Sequence, residues 1–405
     1  MMLDSHLGFV GALSSQPYNS PDYMKYAAGR HRNEAGASGE HAYKIGPASL
    51  LKNTEEKLGH SLSEFQTRGF LLLNGVREMH AKVNGLNVFY LESGMQNKET
   101  VLLIHGGGNS SAYKTWKYQI LALAEKYHVI APDLPGYGNT ARPGVPCTLR
   151  YYVKDFVGKF MDSLSISKAD VVGNSMGGGI SIGFALDNPS RVNKLVLIDS
   201  YGIHDMEMPI WIRALTAFPR LSKMALKVLS RNEKALRSAL RDITGNPDLP
   251  EKYVHIAREY FSDDDSIPPA FLDFLHDQLS ASPRNLLSDL LRQRQEHKAV
   301  MKGFSTIYLN RLSELNDANI KILLVHGTED PIFPVSSAED AASRLEHCTL
   351  VKFECEHGPH LEKPEEFTSE LLRFLSQDTE VKKDAGENRN FIKDFIKILK
   401  DRLRL

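Results

Sequence analysis

Six short apolar runs, separated by stretches with helical periodicity, constrain this chain more than any other feature. They are Val101-Leu102-Leu103-Ile104, His128-Val129-Ile130-Ala131 and residues 169–173, 194–198, 320–325 and 349–353. A strand that is apolar without alternation has both faces covered, and helices packed on each side of a mainly parallel sheet provide that cover. Residues 111–126, 149–164, 178–188, 337–345 and 364–375 carry the expected helices. Pro364 suits a first helical turn, where its missing N–H costs nothing. Before the first run, residues 77–83 and 86–91 flank Asn84-Gly85, a good two-residue hairpin turn. The predicted fold class is α/β, a mainly parallel sheet with helices on both faces.

The alternation stops from about residue 201 to 319, where apolar positions such as Trp211, Leu215 and Phe218 follow a helical period. A helical block between two strands of one sheet is most simply a lid over the sheet's C-terminal edge, where open α/β sheets place their ligands. Side chains such as Trp211, Phe218 and Met224 would either line a pocket there or pack the lid onto itself. The chain therefore divides into a partly disordered N-terminal extension (1–75), a first core segment (76–200), the helical cap (201–319), a second core segment (320–378), and a linker with a C-terminal helix (379–405). In that last helix Phe391, Ile392, Phe395, Ile396, Leu399 and Leu403 form one apolar stripe among basic residues. Such a helix lies on an anionic membrane surface or docks on its own domain.

Composition narrows the class further. The 49 basic and 50 acidic residues nearly cancel, giving no reason to expect nucleic acid as a partner. Cys147, Cys348 and Cys355 are scattered, with neither a disulfide framework nor zinc spacing, which fits a reducing, cytoplasmic location. No run is long and apolar enough to span a bilayer. The apolar patch at residues 7–13 follows Asp4 rather than a basic cluster, so it makes a poor signal peptide. There is no Walker loop and no dinucleotide fingerprint, and no metal or organic cofactor is implied. Nothing in the sequence fixes an oligomeric state.

Chemistry enters at Gly173-Asn174-Ser175-Met176-Gly177, between an apolar run and a helical stretch. A sharp strand-to-helix turn holds such a serine in a strained conformation with its Oγ exposed. A serine hydroxyl needs a base to take its proton and an acid to orient that base. Asp330, in His326-Gly327-Thr328-Glu329-Asp330-Pro331, and His357, in Glu356-His357-Gly358-Pro359-His360, both follow predicted strands and would reach the same sheet edge. The pattern assigns Ser175 as nucleophile, Asp330 as orienting acid and His357 as base. His105-Gly106-Gly107-Gly108 matches a loop that supplies an oxyanion-binding amide, so Gly107 and Met176 are the expected donors, with Gly108 second to Gly107. Three rivals compete with this assignment. His360 could replace His357, Asp199 could replace Asp330, and Cys355 with the two histidines could be imagined as metal ligands, although no zinc signature has that spacing. Asp133 is expected to fix its own Pro-Gly loop.

With Asp133-Leu134-Pro135-Gly136-Tyr137-Gly138 and His357-Gly358-Pro359-His360-Leu361-Glu362-Lys363-Pro364, these motifs resemble a capped α/β-hydrolase from about residue 77 to 377. The elbow and Asn188-Pro189-Ser190-Arg191-Val192 resemble both monoacylglycerol-lipase-like esterases and hydrolases of carbon–carbon bonds in ring-fission products. The latter usually carry Gly-Pro-Gly after the oxyanion glycines, where this chain has Asn109-Ser110-Ser111, and Arg258 is only a loose counterpart of their cap arginine. Glu356 stands where relatives often have Gly. The resemblance implies a serine hydrolase acting through an acyl-enzyme on a small ester with an apolar acyl or alcohol part. The alternatives are carbon–carbon hydrolysis and a non-catalytic binding protein that kept the fold.

Overall fold

The computed structural model describes residues 74–203 and 308–377 throughout, together with Arg68, Gly69, Leu71 and Leu72 and, between the two long stretches, 208–209, 231–244, 251, 254, 268–278 and 300–301. Eight strands form one sheet: β1 (Arg77–Val83), β2 (Leu86–Ser93), β3 (Thr100–Ile104), β4 (His128–Pro132), β5 (Ala169–Asn174), β6 (Val192–Ile198), β7 (Lys321–Gly327) and β8 (Cys348–Phe353). Their order is β1-β2-β4-β3-β5-β6-β7-β8. Strands β4 to β8 and β3 run parallel, while β1 pairs antiparallel with β2 and β2 with β4. The hairpin turn falls on Asn84 (φ 51°) and Gly85 (φ 82°), as the Asn-Gly pair requires.

Burial explains the unbroken apolar runs. Val101, Leu103, Val172 and Val196 pack into one core layer, while Leu102, Ile104, Val171 and Leu195 pack into a second. Successive residues of one strand thus serve opposite faces, which favours an apolar residue at nearly every position. Leu71, within the expected N-terminal extension, is fully buried with Val76 and Phe89.

Two predicted helices differ in detail. The expected helix 111–126 is two short ones, Ala112–Trp116 and Ile120–Ala124, joined by a tightened turn in which Gln119 N–H donates to Trp116 O at 3.1 Å. Gln119 is fully buried there, and its Nε2 donates to His360 O (2.8 Å) and Thr368 Oγ1 (3.2 Å). The expected helix 149–164 begins as a wide π turn over Tyr151–Val157 before continuing as an α-helix, Gly158–Ser163. The helices Met176–Asp187, Val335–Ser343 and Pro364–Leu375 lie where the pattern puts them, the last with Pro364 in its first turn.

Strands β6 and β7 are hydrogen-bonded neighbours, from Lys194↔Lys321 to Ile198↔Val325, although the chain makes a long excursion between them. Its described parts include the helices Glu233–Thr244 and Pro269–Gln278. They also include a two-residue antiparallel ribbon, Met208–Pro209 with Val300–Met301, which the all-helical reading of this stretch did not contain. Trp211, Phe218, Met224 and Arg258, the C-terminal stripe from Phe391 to Leu403 and most of the N-terminal extension lie outside the described residues. No helix among the described residues is long and apolar enough to cross a membrane.

Candidate active site

The C-terminal ends of β3, β5, β6, β7 and β8 meet at one edge of the sheet, and each delivers a piece of the site. Ser175 directly follows β5 with φ 52° and ψ −118°, and it caps the helix Met176–Asp187. A non-glycine residue there is strained by about 1–3 kcal/mol and persists only when its surroundings hold it. They do so here by hydrogen bonds. Ser175 N–H donates to Ile198 O (2.9 Å), and its carbonyl accepts from Gly178, Gly179 and Tyr201 N–H at 2.9, 3.2 and 3.0 Å. The flanking glycines allow the close approach that the turn needs. A Cβ on Gly177 would come within 2.3 Å of Ile104 O, and one on Gly173 within 2.4 Å of Gly177 O.

Asp330 and His357 arrive from β7 and β8. His357 Nδ1 donates to Asp330 Oδ2 at 2.7 Å, with the Asp330 side chain fully buried and the imidazole partly exposed. The other Asp330 oxygen accepts from Ile332 N–H (2.7 Å) and Phe333 N–H (3.1 Å), which fixes the carboxylate's orientation. Burial alone would lower the basicity of His357. The charge of Asp330 and its hydrogen bond, joined by Asp199 and Glu362, outweigh that and raise its pKa above the ordinary histidine value. Among the described residues no hydrogen bond joins Ser175 Oγ to His357, and such contacts commonly tighten only when substrate binds.

The glycine loop is set by His105. This histidine is fully buried, and burial pushes its pKa down to about 4, so its ring is neutral. Leu134 N–H donates to its Nε2 at 3.0 Å, which leaves the proton on Nδ1, and Nδ1 donates to Gly106 O at 2.8 Å. In a trans peptide the carbonyl and the following N–H point in opposite directions. Turning Gly106 O toward the imidazole therefore turns Gly107 N–H away from it. Neither Gly107 N–H nor Met176 N–H is used in an intramolecular hydrogen bond among the described residues. A Cβ on Gly106 would stand 3.4 Å from Ser175 Cβ, so this loop borders the serine directly.

The three rivals find other places. His360 is buried between Trp116 and Phe367, with ring centroids 5.3 and 6.0 Å away, and neither of its nitrogens has a partner. It does not replace His357. Asp199 follows β6 and is fully buried beside Asp330, while the 2.7 Å contact to His357 belongs to Asp330. Cys355 joins no metal-like cluster among the described residues. In the one three-ligand group there, Asp199 Oδ1, His326 Nε2 and Asp330 Oδ2 are engaged with Gly327 N–H, Phe333 O and His357, while Asp199 Oδ2 has no hydrogen-bond partner. Asp133 accepts from Asn139 N–H (2.8 Å), fixing its own loop, and also from Ala112 N–H (2.7 Å).

Sequence reasoning missed the helix Pro269–Gln278 as part of this site. Phe271 on that helix lies over Gly107, where a Cβ would come within 2.5 Å of its ring. Rings continue from there: Phe271 stacks on Phe274, Phe274 meets Tyr201 edge-on, and Tyr201 borders Phe333, which meets His357 edge-on. Centroid separations along the series run from 5.3 to 6.4 Å. An apolar wall thus runs from the glycine loop to His357. Asp273 ties the helix to the core by accepting from Arg142 (2.5 Å) and Cys147 N–H (2.9 Å).

Sheet, strained elbow serine and buried acid–histidine pair together define an α/β protein of the hydrolase class. The chain belongs to the α/β-hydrolase fold family, whose profile it matches over residues 99–364. The dihydrolipoyllysine-residue acetyltransferase component of an acetoin cleaving system from Cupriavidus necator is 40% identical over 125 residues, 31% of this chain and 32% of that protein. The chain therefore matches only about a third of that relative's length. The 2-hydroxymuconate semialdehyde hydrolase of Pseudomonas sp. strain CF600 is 26% identical over 295 residues, 68% of this chain and 87% of that enzyme. Among solved structures, a membrane phospholipase A described as a bacterial virulence factor is similar with a TM-score of 0.52 at 25% identity, covering 81% of this chain and 94% of that one.

Proposed function

We propose that this protein is a serine hydrolase that cleaves a carboxylic ester with an apolar acyl or alcohol group through an acyl-enzyme. The observation that carries the reading is the 2.7 Å contact between His357 Nδ1 and Asp330 Oδ2 at the sheet edge that also holds the strained Ser175. In this mechanism Ser175 Oγ attacks the ester carbonyl while His357 Nε2 takes the hydroxyl proton. Asp330 stabilises the imidazolium, and the Gly107 and Met176 amides hold the oxyanion, each worth about 3 kcal/mol of transition-state stabilisation. His357 then gives the proton to the departing alkoxide, and water releases the acid by the same steps in reverse roles. The excursion between β6 and β7 acts as a cap, and its aromatic wall supports an apolar ligand. A lipid-like ester fits best if the C-terminal stripe contacts a membrane surface.

The test is fluorophosphonate labelling of wild type and Ser175→Ala, alongside p-nitrophenyl esters of graded chain length. Labelling that vanishes in the variant, with ester turnover, is the expected result. A folded protein that takes no label would overturn the reading.

A second reading is carbon–carbon hydrolysis of a vinylogous diketone, favoured by similarity to the 2-hydroxymuconate semialdehyde hydrolase across most of that enzyme's length. It expects labelling at Ser175 without ester turnover, and cleavage of a ring-fission dienoate.

A further inference from the structure

Asp199 has a conformation and a surrounding that the mechanism above leaves unused. It directly follows β6, the strand between those that deliver Ser175 and Asp330. Its φ of 42° is strained for a residue with a side chain. Two hydrogen bonds keep it there: its N–H donates to Val325 O at 3.0 Å, and its Oδ1 accepts from Gly327 N–H at 2.9 Å. Its Oδ2 is buried with no hydrogen-bond partner. A buried carboxylate oxygen without a partner is costly, which makes a surface-like or accidental placement a poor explanation. Oxygens of Asp199 and Asp330 and a ring nitrogen of His326 lie within 4.8 Å of one another.

We infer that Asp199 is a second acid behind His357. It is a positioning residue that adds negative charge beside the imidazole, and its free Oδ2 takes over the orienting role when the Asp330 carboxylate is removed. This rests on the serine-hydrolase reading of the same site. The charges already point that way. Burial pushes Asp199 up to about 7, the charge of His357 is the largest influence drawing it back down, and the charge of Asp199 in turn raises His357. The other ionisable groups around Asp199 are His326 and Asp330 from the β7 side and Cys355 and Glu362 from the β8 side.

The proposal separates three variants that would otherwise be expected to behave alike. Asp330→Ala leaves His357 Nδ1–H free to turn to Asp199, so kcat/KM on a p-nitrophenyl ester should fall by about 10²-fold. Asp330→Asn offers an amide to Nδ1 and imposes the wrong tautomer, so it should fall further, by about 10⁴-fold. Adding Asp199→Asn to Asp330→Ala should bring activity down to that of Ser175→Ala. Asp199→Asn alone should move the acid limb of the kcat/KM–pH profile to lower pH, because it removes a charge that raises His357. A purely structural role would leave that limb in place.

Thermal melts establish folding. Asn keeps an oxygen for Gly327 N–H, and Asp199→Ser serves in its place if the Asn variant does not fold. If the second substitution changes neither the activity of Asp330→Ala nor its pH limb, the inference is overturned while the triad stands. If wild type takes no fluorophosphonate label at all, the serine-hydrolase reading fails and the inference falls with it.

Discussion

The ring of Phe271 occupies the space above Gly107 that any side chain there would need, within 2.5 Å of the position of a Cβ. Gly107→Ala should therefore displace either the ring or the loop, and with it the amide proposed to hold the oxyanion. The expected loss in kcat is about 10²-fold with a smaller change in KM. Phe271→Ala added to Gly107→Ala should recover part of it. Steady-state kinetics of the two single variants and the double variant test this, and no recovery in the double would separate the ring from the loop.

His357 must be neutral to accept a proton, and its pKa is raised by Asp330 against the opposing effect of burial. The acid limb of kcat/KM should consequently lie above about 6.5, the ordinary histidine value. Asp330→Ala should move it down. The same pairing favours the folded state fully below about pH 6.5, and this contribution is lost as pH rises through the raised value. A limb below the ordinary value would contradict the assignment.

His360 behaves in the opposite sense. Its ring is buried without partners, and burial pushes its pKa down to about 3. The unfolded chain takes up a proton below about pH 6.5 that the folded protein refuses, so acidification costs about 2 kcal/mol by pH 5 from this residue alone. His360→Phe, packed against Trp116 and Phe367, should melt higher than wild type, and the gap should widen from pH 7 to pH 5.

Gly177 and Gly144 make a matched pair. A Cβ at Gly177 would lie 2.3 Å from the Ile104 carbonyl oxygen, a backbone atom that cannot move aside. At Gly144 nothing lies within 4 Å. Gly177→Ala should fail to give soluble folded protein, while Gly144→Ala should be within about 0.5 kcal/mol of wild type in a chemical melt.

Much of this was legible in the sequence, for a physical reason. A strand covered on both faces favours apolar residues at nearly every position, so β3 to β7 were visible as runs beside the half-exposed edge strand β8, and the chemistry-bearing residues just beyond β5, β7 and β8 could be placed on one edge. The break between Ala112–Trp116 and Ile120–Ala124 was not visible, because it accompanies the contact of Gln119 with His360 O, 241 residues away. The orientation of the Gly106–Gly107 peptide depends on the tautomer of His105, and that depends on Leu134 N–H. Asp199 was seen only as a substitute for Asp330, since no pattern shows that two carboxyl groups end up side by side.

The Asp273 clamp gives a further expectation. Arg142 is half-exposed, so Arg142→Ala should cost under about 1 kcal/mol. Asp273→Ala also strands Cys147 N–H and should cost about 1–3 kcal/mol. Hydrogen–deuterium exchange across residues 269–278 should rise in the second variant more than in the first.

The pairing of β6 directly with β7 has an evolutionary consequence. Because the two strands are parallel neighbours, the chain leaves the sheet at Ile198 and re-enters it at Lys321, one strand spacing across (about 5 Å) and four residues back along the sheet (about 13 Å), whatever the length or shape of the stretch between. Changes within that stretch need not disturb the register of the sheet. A lineage carrying this scaffold can therefore exchange one preference for another by rewriting the excursion while the strand ends stay put. Chimeras joined just after Ile198 and just before Lys321 are the natural way to transplant one such preference onto another member.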